Sequence, residues 1–128
     1  MAKVVIIGGS GHVGTYLVPR LVAAGHKVVN VSRGASAPYT PHGAWRDVET
    51  IVADRTAEDA AGTFGARIAT LAPDIVIDMI AFTLESTQHL VESLRGRVQH
   101  FLHCGTIWVY GANTAIPASE SDPLNAFG

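Results

Sequence analysis

Val4-Val5-Ile6-Ile7-Gly8-Gly9-Ser10-Gly11-His12-Val13-Gly14 is the stretch that decides the fold. An unbroken run of β-branched residues suits a strand buried on both faces, as parallel strands between two helical layers are. The glycines satisfy GxxGxxG at 8, 11 and 14 and GxGxxG at 9, 11 and 14, and a segment of helical period follows. Strand, glycine turn and helix in this order make a dinucleotide-binding turn. One glycine permits the tight turn, one lets the backbone approach a pyrophosphate, and Gly14 lets helix and strand close on each other. The helix N-terminus then offers free N–H groups to phosphate. The competing reading is a glycine-rich turn that binds nothing.

Outward from this turn, further apolar runs at 26–32, 49–53, 74–80 and 98–104 repeat the strand pattern of 4–7, continuous rather than alternating. Helices are predicted between them at 11–24, 56–71 and 83–94, each long enough to cross from one parallel strand to the next. In the second, Ala60, Phe64, Ile68 and Leu71 share a face, with Thr56 and Asp59 placed as an N-terminal cap. Pro19 lies well inside the first helix at a propensity cost of roughly 3 kcal/mol, which packing must override. Residues 34–46, with Pro38 and Pro41, read as an irregular crossover. The prediction is an α/β, Rossmann-type doubly wound sheet, all parallel, in the strand order 3-2-1-4-5.

The 128 residues make one domain and too little chain for two. An apolar content of 48% with 16% charged residues excludes disorder as the main state. A net charge of −2 supplies no basic stripe for nucleic acid. The opening apolar run of four residues is too short for a signal peptide or a membrane span, so no membrane association is expected. The single cysteine, Cys104, fits a reducing compartment, and a cytoplasmic location is expected.

Selection between the two nicotinamide dinucleotides falls at the end of the second strand, where an acid usually binds the ribose 2′-OH of NAD. Here the strand ends Val31-Ser32-Arg33 with no acid in the turn. Ser32 can hydrogen-bond and Arg33 can clamp a 2′-phosphate with its planar fork, so NADP is favoured and NAD is retained as the second possibility. The alternative is that Arg33 is a solvated surface charge.

These residues resemble the extended short-chain dehydrogenase/reductase superfamily and, within it, the NAD-dependent epimerase/dehydratase family acting on sugar nucleotides. The likeness runs over essentially the whole chain. It implies that Asp54, in the Asp54-Arg55 pair closing the third strand, accepts from the adenine amino group and that Arg55 belongs to the cofactor site, with an ordinary strand-end cap as the alternative for Asp54. It likewise implies cofactor contacts at Gly8, Gly11, His12, Val13, Gly14, Ile80 and Ala81, although His12 is equally readable as an exposed spacer. Cys104-Gly105-Thr106-Ile107-Trp108-Val109-Tyr110-Gly111 is similar to the family's SSxxVYG segment. Thr106 takes the place of its catalytic Ser or Thr, a hydroxyl that helps a tyrosine at the reacting oxygen; its alternative is a strand-end cap. Tyr110 is structural in this comparison.

Two departures stand out. Asp78-Met79-Ile80-Ala81-Phe82 replaces the usual His-x-Ala-Ala type of sequence and makes the nicotinamide-side wall bulkier. The chain reaches Gly128 without the family's YxxxK, so 1–128 is expected to be the cofactor-binding part, cut before the YxxxK helix and lacking the substrate domain. A homodimer is a further expectation, since that cut would leave an apolar face uncovered.

Other constellations carry less. His100 and His103 point to opposite strand faces and have no third ligand near them in sequence, so no metal site is expected. Cys104 reads as a small, inert, buried hydrophobe, and Phe82, Phe101 and Trp108 as core or pocket wall. The function expected is the cofactor-binding portion of an NADP- or NAD-dependent epimerase, dehydratase or reductase acting on a nucleotide-activated sugar. The alternative is an atypical, non-catalytic member that binds NADP as a redox sensor or interaction module.

Overall fold

The computed structural model describes residues 1–34 and 37–105. Strands β1 (Lys3–Ile7), β2 (Lys27–Ser32), β3 (Glu49–Val52), β4 (Ile75–Asp78) and β5 (His100–His103) form one sheet in the order β3-β2-β1-β4-β5. Every neighbouring pair is parallel. This is the doubly wound architecture predicted from the alternating runs.

The unbroken apolar runs have a direct cause in the layers. Successive side chains of a strand point to opposite faces, and in β1 both faces are covered. Val4 and Ile6 join Val18, Val28 and Ile77 beneath helix α1 (Gly14–Ala23), where Trp45 of a 3₁₀ turn (Gly43–Asp47) packs against the same cluster. Val5 and Ile7 join Val29, Val31 and Val76 under Phe64 and Ile68 of α3 (Phe64–Thr70) and Leu90 and Leu94 of α4 (Leu84–Leu94). Pro19 is buried inside α1, so apolar burial outweighs its helix penalty there.

Four expectations need correction. The helix predicted over 56–71 is two, because Gly62 takes a left-handed φ of 73° and ends α2 (Arg55–Ala61), with Thr63 N–H donating to the Glu58 carbonyl at 2.9 Å. Its cap is Asp54, whose Oδ1 accepts from Ala57 N–H at 3.1 Å, in place of Thr56 and Asp59. Strands β3 and β5 are not buried on both faces: Val52 is 62% and Leu102 is 42% exposed. Each borders one strand only among the described residues, and Cys104, just past β5, is exposed rather than buried.

No helix among the described residues is long and apolar enough to cross a membrane.

Candidate functional site

The turn after β1 is built by four glycines with different duties. Gly8 adopts φ 83° and donates its N–H to the Val31 carbonyl at 2.8 Å, which fastens the turn to β2. Gly9 N–H donates to Asn30 Oδ1 at 2.9 Å, and a β-carbon there would sit 2.7 Å from that oxygen. At Gly14 a β-carbon would collide with the Gly9 carbonyl, so this glycine sets how closely α1 approaches the turn. Gly11 differs: a β-carbon there would meet only the Gly8 carbonyl, at 3.6 Å. Val13 precedes α1 with no side-chain cap, and no acid stands in the helix's first turn. Thr15, Tyr16 and Leu17 N–H donate to the Gly11 and Val13 carbonyls, so the turn itself closes the start of the helix, and no carboxylate in its first turn opposes an anion there.

The crossover after β2 returns to this turn. Tyr39 N–H donates to Thr15 Oγ1 at 3.0 Å, and that hydroxyl donates to the Gly11 carbonyl at 2.7 Å. His12 meets Tyr39 edge to face with ring centroids 5.5 Å apart.

A cavity of about 570 Å³ opens at the carboxyl ends of β1 to β4, the switch point where ligands bind in open α/β sheets. Gly8, Ser10 and Gly11 line one part, and Ser32 and Arg33 a second. Arg55, Thr56 and Asp59 from α2, with Ile80, Phe82, Thr83 and Ser86 from the end of β4 and the start of α4, line the rest. Ser32 Oγ accepts from Gly34 N–H at 3.2 Å, which orders the turn carrying the exposed Arg33.

Arg55 does not offer a free cation. It is 6% exposed, its Nη1 donates to Asp78 Oδ1 at 2.6 Å, its Nε lies 3.4 Å from Asp59 Oδ2, and its guanidinium stacks on Phe64 at 4.9 Å. Ser86 Oγ donates to Asp59 Oδ2 at 2.6 Å, so α2 is tied to the first turn of α4.

Of the residues predicted for the site, Gly8, Gly11, Ser32, Arg33, Arg55 and Ile80 line the cavity. Gly14 acts in the packing behind it. His12 and Val13 sit exposed on the outer side of the turn, and the exposed Asp54 caps α2. Ala81 is half-buried beside Ile80. Thr106, with Trp108 and Tyr110, lies outside the described residues. Phe82 is cavity wall and not core, being 88% exposed at the rim. His100 and His103 are both exposed, and no group of three potential metal ligands gathers among the described residues.

Asn30 and Asp78 escaped the sequence reading as structural members of the site. The signal for Asn30 was present, a lone amide inside Lys27-Val28-Val29-Asn30-Val31, where a buried polar side chain needs a partner. Asp59 and Ser86 come together only across two helices and left no local signal.

Comparison with known proteins agrees with this geometry. The model of the NAD dependent epimerase/dehydratase family matches residues 4–127. A 2′-dehydrokanamycin reductase from Streptomyces kanamyceticus is 31% identical over 129 residues, covering 98% of this chain and 34% of that protein. Among solved structures, the Bordetella bronchiseptica enzyme WbmG in complex with NAD and UDP has a TM-score of 0.75 at 17% identity, covering 98% of this chain and 44% of that one. A UDP-glucose 4-epimerase from Bifidobacterium longum in complex with NAD+ and UDP has a TM-score of 0.74 at 20% identity, covering 96% and 42%. At those identities the two structures establish the fold. The chain spans about a third of the curated relative and under half of each structure.

Proposed function

The chain belongs to the NAD dependent epimerase/dehydratase family, and on that premise we propose that it is the dinucleotide-binding part of an NADP- or NAD-dependent oxidoreductase or epimerase acting on a nucleotide-activated sugar. The observation that carries the reading is the cavity itself: an open glycine at 11, an uncapped helix N-terminus behind it and a cation at the end of β2 meet at the switch point. The UDP and NAD named with the structural neighbours support the substrate and cofactor classes, and the kanamycin-related reductase supports reduction at a sugar carbonyl.

In this reading the pyrophosphate lies over Gly8 and Gly11, at the positive end of the α1 dipole, with His12 and Val13 at its outer side. Asp54 keeps one carboxylate oxygen for the α2 cap and turns the other to the adenine amino group. Arg55, Ile80 and Ala81 form the wall. Ser32 and Arg33 take the ribose 2′ position, where a guanidinium in a turn whose sequence carries no acid favours the phosphate of NADP. When bound, the nicotinamide supplies hydride exchange with a sugar carbon. Thr106 is assigned as the hydroxyl that orients the reacting oxygen, while proton transfer belongs to a tyrosine and lysine supplied outside this sequence. The protein is taken as cytoplasmic and homodimeric. A second reading, cofactor binding without turnover, draws on the unusual wall of Asp78 to Phe82.

Calorimetric titration with NADPH and NADH, for the parent and for Arg33→Ala, tests the assignment. The parent should bind NADPH at least about tenfold more tightly than NADH, and Arg33→Ala should erase the difference, as the loss of a charge-assisted hydrogen bond does. Equal affinities that Arg33→Ala leaves alone would remove the NADP preference. Binding of neither cofactor would remove the dinucleotide reading altogether. Turnover of a nucleotide-sugar by the protein extended through a YxxxK helix, lost in Thr106→Val, separates enzyme from sensor.

A further inference from the structure

We propose that Asp78 is a positioning residue for the cofactor cavity: with Arg55 it locks the turn after β3 to the end of β4 and holds Ile80 against the glycine turn. This inference rests on the dinucleotide reading above and assigns a role to a residue that reading leaves unused.

The geometry centres on one oxygen. Asp78 Oδ1 accepts from Arg55 Nη1 at 2.6 Å and from Ile80 N–H at 3.2 Å, so one carboxylate fixes both a cavity-lining cation and the backbone of a cavity-lining apolar residue. Asp78 is fully buried and Arg55 nearly so, which keeps solvent from loosening either bond. Arg55 is held from its other sides by the Phe64 ring and by Asp59, itself bonded to Ser86 of α4. The end of β4 and the start of α2 therefore meet at one guanidinium, and α4 joins them through Asp59.

Ile80 passes this order to the phosphate turn. A β-carbon built on Gly8 would lie 2.6 Å from Ile80 Cγ2, so the Ile80 side chain already fills the space beside that glycine. The positions of Ile80 and the turn are therefore coupled: if Ile80 moves, the wall opposite the pyrophosphate moves with it. Register places Asp78 directly beside Ile7, the last residue before the turn, so the clamp acts where β1 hands over to the glycines.

Stability alone is a weak reason for such a pair. Well-packed apolar residues can often replace a buried ion pair at no loss of stability, whereas removing one partner is strongly destabilising. A charged pair placed at the wall of the cavity gives instead a fixed direction to two hydrogen bonds, the kind of support a binding constellation requires.

Two variants separate positioning from stability. Asp78→Asn loses the charge but keeps an Oδ1 that can accept from both Arg55 and Ile80. Arg55→Met with Asp78→Leu removes both charges, fills the space with apolar atoms and abolishes the clamp. Melting and calorimetric titration with NADPH and NADH should place them in opposite orders. Asp78→Asn should melt below the parent yet bind within about threefold of it, and the double variant should melt near the parent yet bind both cofactors about tenfold or more weakly. A double variant that binds as the parent does overturns the proposal. So does an Asp78→Asn protein that folds and binds as weakly as the double variant. Should Asp78→Asn fail to fold, the double variant alone decides. A parent that binds neither cofactor strikes the dinucleotide reading instead, so the two failures are told apart.

Discussion

Replacing Gly11 and Gly14 by alanine, one at a time, should move stability in opposite directions and binding in the same one. At Gly14 the added carbon would overlap the Gly9 carbonyl and lie 2.7 Å from Gly9 Cα, and both are backbone atoms that cannot rotate away. Relief requires α1 to back off or Gly9 to shift, and a shift of Gly9 strains its bond to Asn30. Overpacking of this kind costs typically 1–3 kcal/mol, against a helix-propensity gain of about 1 kcal/mol at most, so a net loss on the order of 1 kcal/mol is expected. For a domain of this size that lowers Tm by roughly 4 °C. At Gly11 the added carbon meets only the Gly8 carbonyl at 3.6 Å, an ordinary contact, and the backbone is not left-handed. Alanine there restricts the unfolded chain and should stabilise by about 0.4–1 kcal/mol. The same methyl faces the cavity that Gly11 lines, so the pyrophosphate loses its close approach, and NADPH affinity should fall about ten- to a hundredfold. Thermal melts and calorimetry on the two variants and the parent give the answer. A Gly11→Ala protein that binds as tightly as the parent places the phosphate elsewhere; a Gly14→Ala protein that melts with the parent breaks the packing account.

Asn30→Ala should lower stability by about 1–3 kcal/mol, because it strands the Gly9 N–H beneath the turn, and should weaken NADPH binding as well; an unchanged melt would show that the Asn30 to Gly9 bond is dispensable. Asp54→Ala removes the α2 cap at a cost of about 1 kcal/mol. A lowered Tm with unchanged cofactor affinity would leave Asp54 as a cap and take it out of the site. Gly65→Ala drives a β-carbon into Ser93 of α4 and should destabilise by about 1–3 kcal/mol, with Ser93→Gly restoring most of the loss. Failure of that suppressor would mean that the close contact of α3 and α4 is not what Gly65 protects.

The centre of the sheet was legible because both faces of β1, β2 and β4 are covered, and burial on both sides writes itself into sequence as an unbroken apolar run. The edges were not. Glu49-Thr50-Ile51-Val52 and His100-Phe101-Leu102-His103 read like the central strands, yet whether a strand has one neighbour or two is decided by the rest of the sheet and by nothing local. The break at Gly62 was hidden for a related reason: Phe64 and Ile68 resume the four-residue spacing of Ala60 on the far side of the turn, so the period runs through a point where the backbone does not. In the site, Gly8, Gly11, Ser32 and Arg33 were readable because one turn and one strand end carry them in consecutive sequence. Asp78 was readable only as an oddity, an acid at the end of an apolar strand where the resemblance led one to expect a histidine. Its partner, Arg55, stands on another element, and neither residue alone announces a pair. A carboxylate that breaks the strand's apolar pattern, buried beside a cavity and bonded both to a cation and to the backbone of the cavity wall, is the local inconsistency expected where binding rather than folding set the residue.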